Sequence, residues 1–179
     1  MKLIAFVGMP ASGKSEAAAI AKKLGIPVVN MGDVVREETA RRGLPPTDEN
    51  IGGTGTALRR EKGMDVIAKR CVPKIRAIRS KVVVVDGIRN INEIEYYKNE
   101  FGNDFKLIAI NTPFDIRFER VKKRARSDDM KSMEELKRRD EREKSWGLDR
   151  AIEKADINSD NTGTIEKFKE KMEQLLGNI

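Results

Sequence analysis

Apolar residues follow two rhythms along this chain. Short runs that are almost wholly apolar, Lys2 to Val7, Ile26-Pro27-Val28-Val29, Val82-Val83-Val84-Val85 and Phe105 to Asn111, match strands buried on both faces of a parallel sheet. Between them apolar positions recur every three or four residues, as in Ala17, Ile20, Ala21 and Leu24, or Phe114, Phe118, Val121 and Ala125. That is the spacing of one helix face. A weaker fifth strand is predicted at Ala155-Asp156-Ile157, and a closing helix at Ile165 to Leu176. Strands alternating with helices predict a three-layer α/β fold around a mostly parallel five-stranded sheet.

From Glu38 to Ser80 the strand rhythm disappears. Arg41-Arg42-Gly43-Leu44-Pro45-Pro46 breaks one helix, and two others are predicted at Thr47 to Arg60 and Met64 to Arg79. This block is longer than a crossover needs, so residues 36–80 read as a helical insertion over the ligand crevice that binds an acceptor. Ser132-Met133-Glu134-Glu135 is a capping box that starts a further helix, and residues 126–146 read as a short, basic lid. At 179 residues the chain fits one domain, 1–179, with these two additions.

The candidate chemistry sits at the end of the first strand. Gly8-Met9-Pro10-Ala11-Ser12-Gly13-Lys14-Ser15 satisfies G-x-x-x-x-G-K-[ST], with a strand before it and a helix after it. Glycines at both ends let the backbone turn so that amide N–H groups converge on phosphate oxygens, and the helix adds the positive end of its dipole. Lys14 would bring charge to the outer phosphates and Ser15 a hydroxyl ligand for Mg²⁺. Asp86, ending the Val82 to Val85 strand, would be the second holder of that metal.

Residues just past the carboxyl ends of parallel strands line the crevice. By that rule Asp33, Arg36 and Arg89 are candidates for holding an acceptor, with Arg59 reaching in from the insertion. Two plainer readings stand beside these: Asp33 caps a helix beginning at Val34, and Arg59 is one more solvated surface cation. Arg117, Arg120 and Arg124 form a stripe bordering the buried face of the Phe114 helix, where they can reach an anion.

Composition narrows the chemistry. There is no histidine and one cysteine, Cys71, so imidazole acid–base catalysis, cysteine zinc sites and an internal disulfide are excluded. Thirty-six basic against 29 acidic residues give a net charge of +7, which favours anionic partners. Aromatics are only 5%, too few for the stacking platforms of single-strand binders, which argues against nucleic acid and for small phosphorylated molecules. No apolar run approaches membrane-spanning length, so a cytoplasmic protein without membrane contact is expected, as a monomer or homodimer.

With the phosphate loop, Gly32-Asp33-Val34-Val35-Arg36, the Arg120/Arg124 pair and Asp86-Gly87-Ile88-Arg89 in place, the chain resembles the nucleoside and nucleotide kinases among P-loop proteins, adenylate kinase and dephospho-coenzyme A kinase in particular. It is more closely similar to an archaeal family related to nucleotide kinases. In adenylate kinases an Asp and an Arg after the second strand bind the acceptor phosphate, where Asp33 and Arg36 stand, and the lid opens with two arginines four apart, as Arg120 and Arg124 do. The third-strand motif here is one residue shorter and lacks the proline. The segment Asn161-Thr162-Gly163-Thr164 is similar to the part of dephospho-coenzyme A kinase near the adenine.

The resemblance implies ATP and Mg²⁺ as cofactors and transfer of the γ-phosphoryl group to a small phosphorylated acceptor such as a nucleoside monophosphate. Lys14, Arg120 and Arg124 would supply charge, and Asp33 would position the acceptor or act as base. A hydroxyl acceptor, or a nucleotide-dependent regulatory switch with no small acceptor, remain alternatives at this stage.

Overall fold

In the computed structural model, which describes residues 1–124 and 132–178, five strands form one sheet in the order β2-β3-β1-β4-β5. They are β1 (Lys2–Val7), β2 (Val28–Asn30), β3 (Val82–Ile88), β4 (Phe105–Asn111) and β5 (Ile157–Asp160). Every neighbouring pair is parallel. β1 is the central strand, with Leu3 opposite both Val83 of β3 and Phe105 of β4.

The near-continuous apolar runs follow from burial on both faces. Leu3, Ala5, Val7, Val83, Val85, Leu107 and Ala109 point to one side. There they meet apolar residues of α2 (Met31–Arg41), α3 (Asp48–Lys62), α4 (Val66–Arg76), α5 (Ile91–Phe101) and α8 (Leu148–Glu153). Ile4, Phe6, Val84, Ile108 and Ile110 point to the other side, against α1 (Lys14–Lys23) and α9 (Ile165–Gly177). Each such large side chain removed from water stabilises the fold by about 1.5–3 kcal/mol. Two helices complete the described chain, α6 (Phe114–Arg124) and α7 (Met133–Ser145), joined through Val121 and Leu136. Among the described residues no helix is long and apolar enough to cross a membrane.

Several local expectations shift. The second helix starts at Met31, because the Asn30 side chain caps it by accepting from Gly32 N at 2.8 Å. Asp33 therefore lies in its first turn and is not its cap. The last strand is Ile157–Asp160. Asp156 instead leads in, its Oδ2 accepting from Leu107 N at 2.7 Å. Leu24, placed by its spacing on the buried stripe of α1, is 45% exposed, because the helix ends at Lys23 and Leu24 is its cap. The short helix α8 carries no long periodic signal and only the structure reveals it.

Candidate active site

The phosphate loop leaves β1 at the carboxyl edge of the sheet, next to the ends of β3 and β4. Its carbonyls are held from behind. Lys14 Nζ donates to Gly8 O at 2.6 Å and Met9 O at 2.9 Å. Arg117 Nη1 donates to Pro10 O at 3.0 Å, while Ser12 O accepts from Thr112 Oγ1 at 2.8 Å and Asn161 Nδ2 at 2.9 Å. With its carbonyls engaged in this way, the loop can offer amide N–H groups to an anion.

Two glycines are required by space or conformation. A Cβ on Gly8 would stand 2.5 Å from the Ile110 carbonyl oxygen. Gly13 has φ +110 and abuts the Asn161 amide, so a side chain there is both strained and obstructed. Ala11 adopts a left-handed φ of 61 without being glycine, a local cost taken where the loop needs its curvature.

In front of the loop is a cavity of about 430 Å³. It is lined by Lys14 and Ser15, by Arg36 of α2, by Arg59 of α3, by Asp86 and Arg89 at the end of β3, and by Arg120. Arg139, Arg142, Glu143 and Trp146 close it from α7 and its cap, with Asn161 on the far side. Burial draws Lys14 down from the usual lysine range to about 7, with repulsion from Arg89 adding to it. Asp86 is pushed up by burial, against the pull of Lys14 and Arg89. Its Oδ1 is buried with no hydrogen-bond partner. A carboxylate oxygen left without a donor, on the same cavity wall as Ser15 and the phosphate loop, fits a hard divalent cation that takes its remaining ligands from phosphates and water.

The arginines differ in how firmly they are held. Arg59 is 4% exposed, so the solvated reading does not apply to it. Its Nη2 lies 3.0 Å from Glu93 Oε1 and its guanidinium 4.3 Å over the Trp146 ring. Arg120 Nη2 donates to Asn161 O at 2.8 Å and to its Oδ1 at 3.1 Å. Burial lowers its pKa, and it reaches the cavity beside the loop. Arg36 pairs with Asp33 at 2.9 Å. The Asp33 side chain is 61% exposed and is not part of the cavity wall. The Arg124 side chain and residues 125–131, which include the start of the expected lid, lie outside the described residues.

Glu143 sits in a run of alternating charges that does not mark it out. It is 2% exposed and faces Arg89 and Arg139. Burial opposes its ionisation, but Arg89, Arg139 and Lys14 together hold its carboxyl below the usual range. Only spacing on α7 could have hinted at it, since Leu136, Asp140 and Glu143 recur at helical intervals and are its three buried residues.

A phosphate loop at the end of the central strand of this all-parallel sheet defines a P-loop protein of the kinase-like class. A family model described as an AAA domain matches residues 7–137. The chain belongs to the UPF0200 family: it is 55% identical to the UPF0200 protein of Methanosarcina barkeri over 99% of this chain and 96% of that one. It is 61% identical to a UPF0200/UPF0201 protein of Archaeoglobus fulgidus over 98% of its own length, but spans only 55% of that protein. Its fold is similar to that of a gluconokinase from Sinorhizobium meliloti, with a TM-score of 0.60 at 19% identity, covering 99% of this chain and 94% of that one.

Proposed function

We propose that the protein transfers the γ-phosphoryl group of ATP to a small phosphorylated acceptor, a nucleoside monophosphate or a molecule of similar charge. One observation carries this reading. Arg59 and Arg142 both face the cavity, and each keeps a buried Nε with no acceptor. A buried guanidinium N–H without a partner costs about 1–3 kcal/mol or more, and an anionic acceptor beside the phosphate loop would relieve it. Arg36 and Arg89 on the same wall support the same chemistry. Asp33 in this reading positions Arg36.

Charge on the transferring group spreads over its oxygens, so positioning and positive charge carry most of the catalysis. Residues 8–15 cradle the triphosphate, while Lys14, Arg120 and Arg124 neutralise it. Ser15 and Asp86 would hold Mg²⁺, which would supply positive charge to the transferring phosphate.

The test is ADP release from Mg-ATP against a panel of nucleoside monophosphates, nucleosides and dephospho-coenzyme A. Stimulation by a phosphorylated acceptor, abolished in Lys14→Ala, is the expected result. Slow release that no acceptor accelerates would replace this reading with a nucleotide-dependent switch.

A further inference from the structure

Glu143 is a buried carboxylate on the cavity wall that the transfer machinery described above does not use. Its Oε1 accepts from Arg139 Nε at 3.2 Å. Its Oε2 lies 3.1 Å from Arg89 Nε, but no N–H is directed at it and it accepts no hydrogen bond. An ionised carboxylate can only accept, and this oxygen is closed off from solvent without a donor, so a hydroxyl reaches it only as the acceptor enters and moves the cavity side chains around it. The cavity wall it belongs to also carries Lys14 and Asp86, and Glu143 is near enough to Lys14 for each to influence the other's charge.

The reactive atom of the acceptor must come to this wall. A phosphate oxygen brings negative charge and no donor, so beside Glu143 it is repelled. A hydroxyl brings the missing donor. Asp33, the other carboxylate considered for the role, is 61% exposed and tied to Arg36.

Resting on the proposed kinase activity, we propose that Glu143 is the general base of the transfer, and that the acceptor atom is a hydroxyl oxygen of the phosphorylated acceptor rather than its phosphate. A lone pair of that hydroxyl forms the new bond to the γ-phosphorus. The bond from that phosphorus to its bridging oxygen breaks, with the electron pair leaving on ADP, and the hydroxyl proton passes to Glu143 Oε2. The anionic group of the acceptor meanwhile pairs with Arg59 and Arg142.

Water is the smallest hydroxyl acceptor, so the base can be tested before the acceptor is known. Glu143→Gln keeps the shape and can still accept from Arg139, but it cannot take a proton. Turnover of Mg-ATP is measured for both proteins, without acceptor and with nucleoside monophosphates or their 2′,3′-dideoxy analogues, and the products are read by phosphorus NMR. The expected result is a fall in kcat of about a hundredfold or more in E143Q, with KM for ATP unchanged. Its melting temperature should fall, because Arg89 and Arg139 lose a buried charge partner, so both proteins are assayed well below it. Any product formed from a monophosphate should carry two separate phosphomonoesters, and the dideoxy analogues should not stimulate.

Turnover in E143Q within threefold of wild type overturns the base, as does a raised KM at unchanged kcat, which would make Glu143 only a support for Arg89 and Arg139. A hundredfold loss in Asp33→Asn with E143Q near wild type also overturns it. A nucleoside diphosphate product removes the hydroxyl acceptor while leaving the kinase reading intact. A wild-type protein that binds ATP yet releases no ADP under any condition removes both.

Discussion

Arg117 and Asp140 face each other across the contact of α6 with α7 as a buried two-pronged pair, with Nη1 to Oδ1 at 2.9 Å and Nη2 to Oδ2 at 2.6 Å. The same Nη1 donates to the Pro10 carbonyl of the phosphate loop at 3.0 Å, so the helix that closes the cavity and the loop that holds phosphate share one guanidinium. Removing one partner of such a pair leaves a buried charge uncompensated, at a cost of roughly 3–5 kcal/mol. Asp140→Asn should lose about that much in urea unfolding and should also weaken ATP binding in titration calorimetry. Unchanged nucleotide affinity in a folded D140N protein would show that the loop does not depend on α7.

Nucleotide binding should be linked to proton uptake. Burial, then Arg89, lowers Lys14 to about 7, so in the empty site its positive charge is present below that pH and lost as pH rises through it. Phosphate oxygens favour the charged form and raise the pKa. At pH 8 Mg-ATP binding should therefore take up close to one proton per site, and at pH 5.5 almost none through Lys14. Calorimetry in buffers of different ionisation enthalpy measures this, and Lys14→Met should abolish the pH 8 uptake.

Gly52 lies on α3 under the Arg142 guanidinium, in the space a Cβ would take. Gly52→Ala gains about 0.8–1 kcal/mol of helix propensity. It pushes Arg142 off Asp48, a half-exposed pair at 2.9 Å that is worth about 0–1 kcal/mol. The two nearly cancel, so unfolding free energy should stay within about 1 kcal/mol of wild type. If Arg142 holds the acceptor, KM for the acceptor should rise about tenfold or more, the loss of one charged hydrogen bond, with KM for ATP unchanged.

Glu38 accepts from Arg41 and Arg42, with Arg70 as a third donor, and these hold its carboxyl far below the usual range. The folded-state pKa is depressed, so the stabilisation is present above the unfolded value near 4.3 and is lost as pH falls through the folded one. The gap in melting temperature between wild type and Glu38→Gln should be constant above about pH 5.5 and shrink progressively below pH 4.

Much of the fold is legible because burial on both faces of a parallel sheet forces unbroken apolar runs. Val82 to Val85 and Phe105 to Asn111 could be read directly, and so could the phosphate loop, whose chemistry needs fixed residue types at fixed spacing. The edges were less legible: β5 is short and mostly polar, and α8 has a single turn and a half to carry its pattern.

The sequence by itself determined the sheet, the nucleotide loop and the absence of imidazole chemistry, since these depend on local pattern and composition. Only the tertiary structure decided which charges face the cavity. In α7, Arg139, Arg142 and Glu143 look like any solvated helix surface, and in α3 Arg59 looks like its exposed neighbour Arg60. Whether a charged side chain is bathed in water or walled in beside Lys14 depends on helices brought together from distant parts of the chain, which no local rule of spacing encodes.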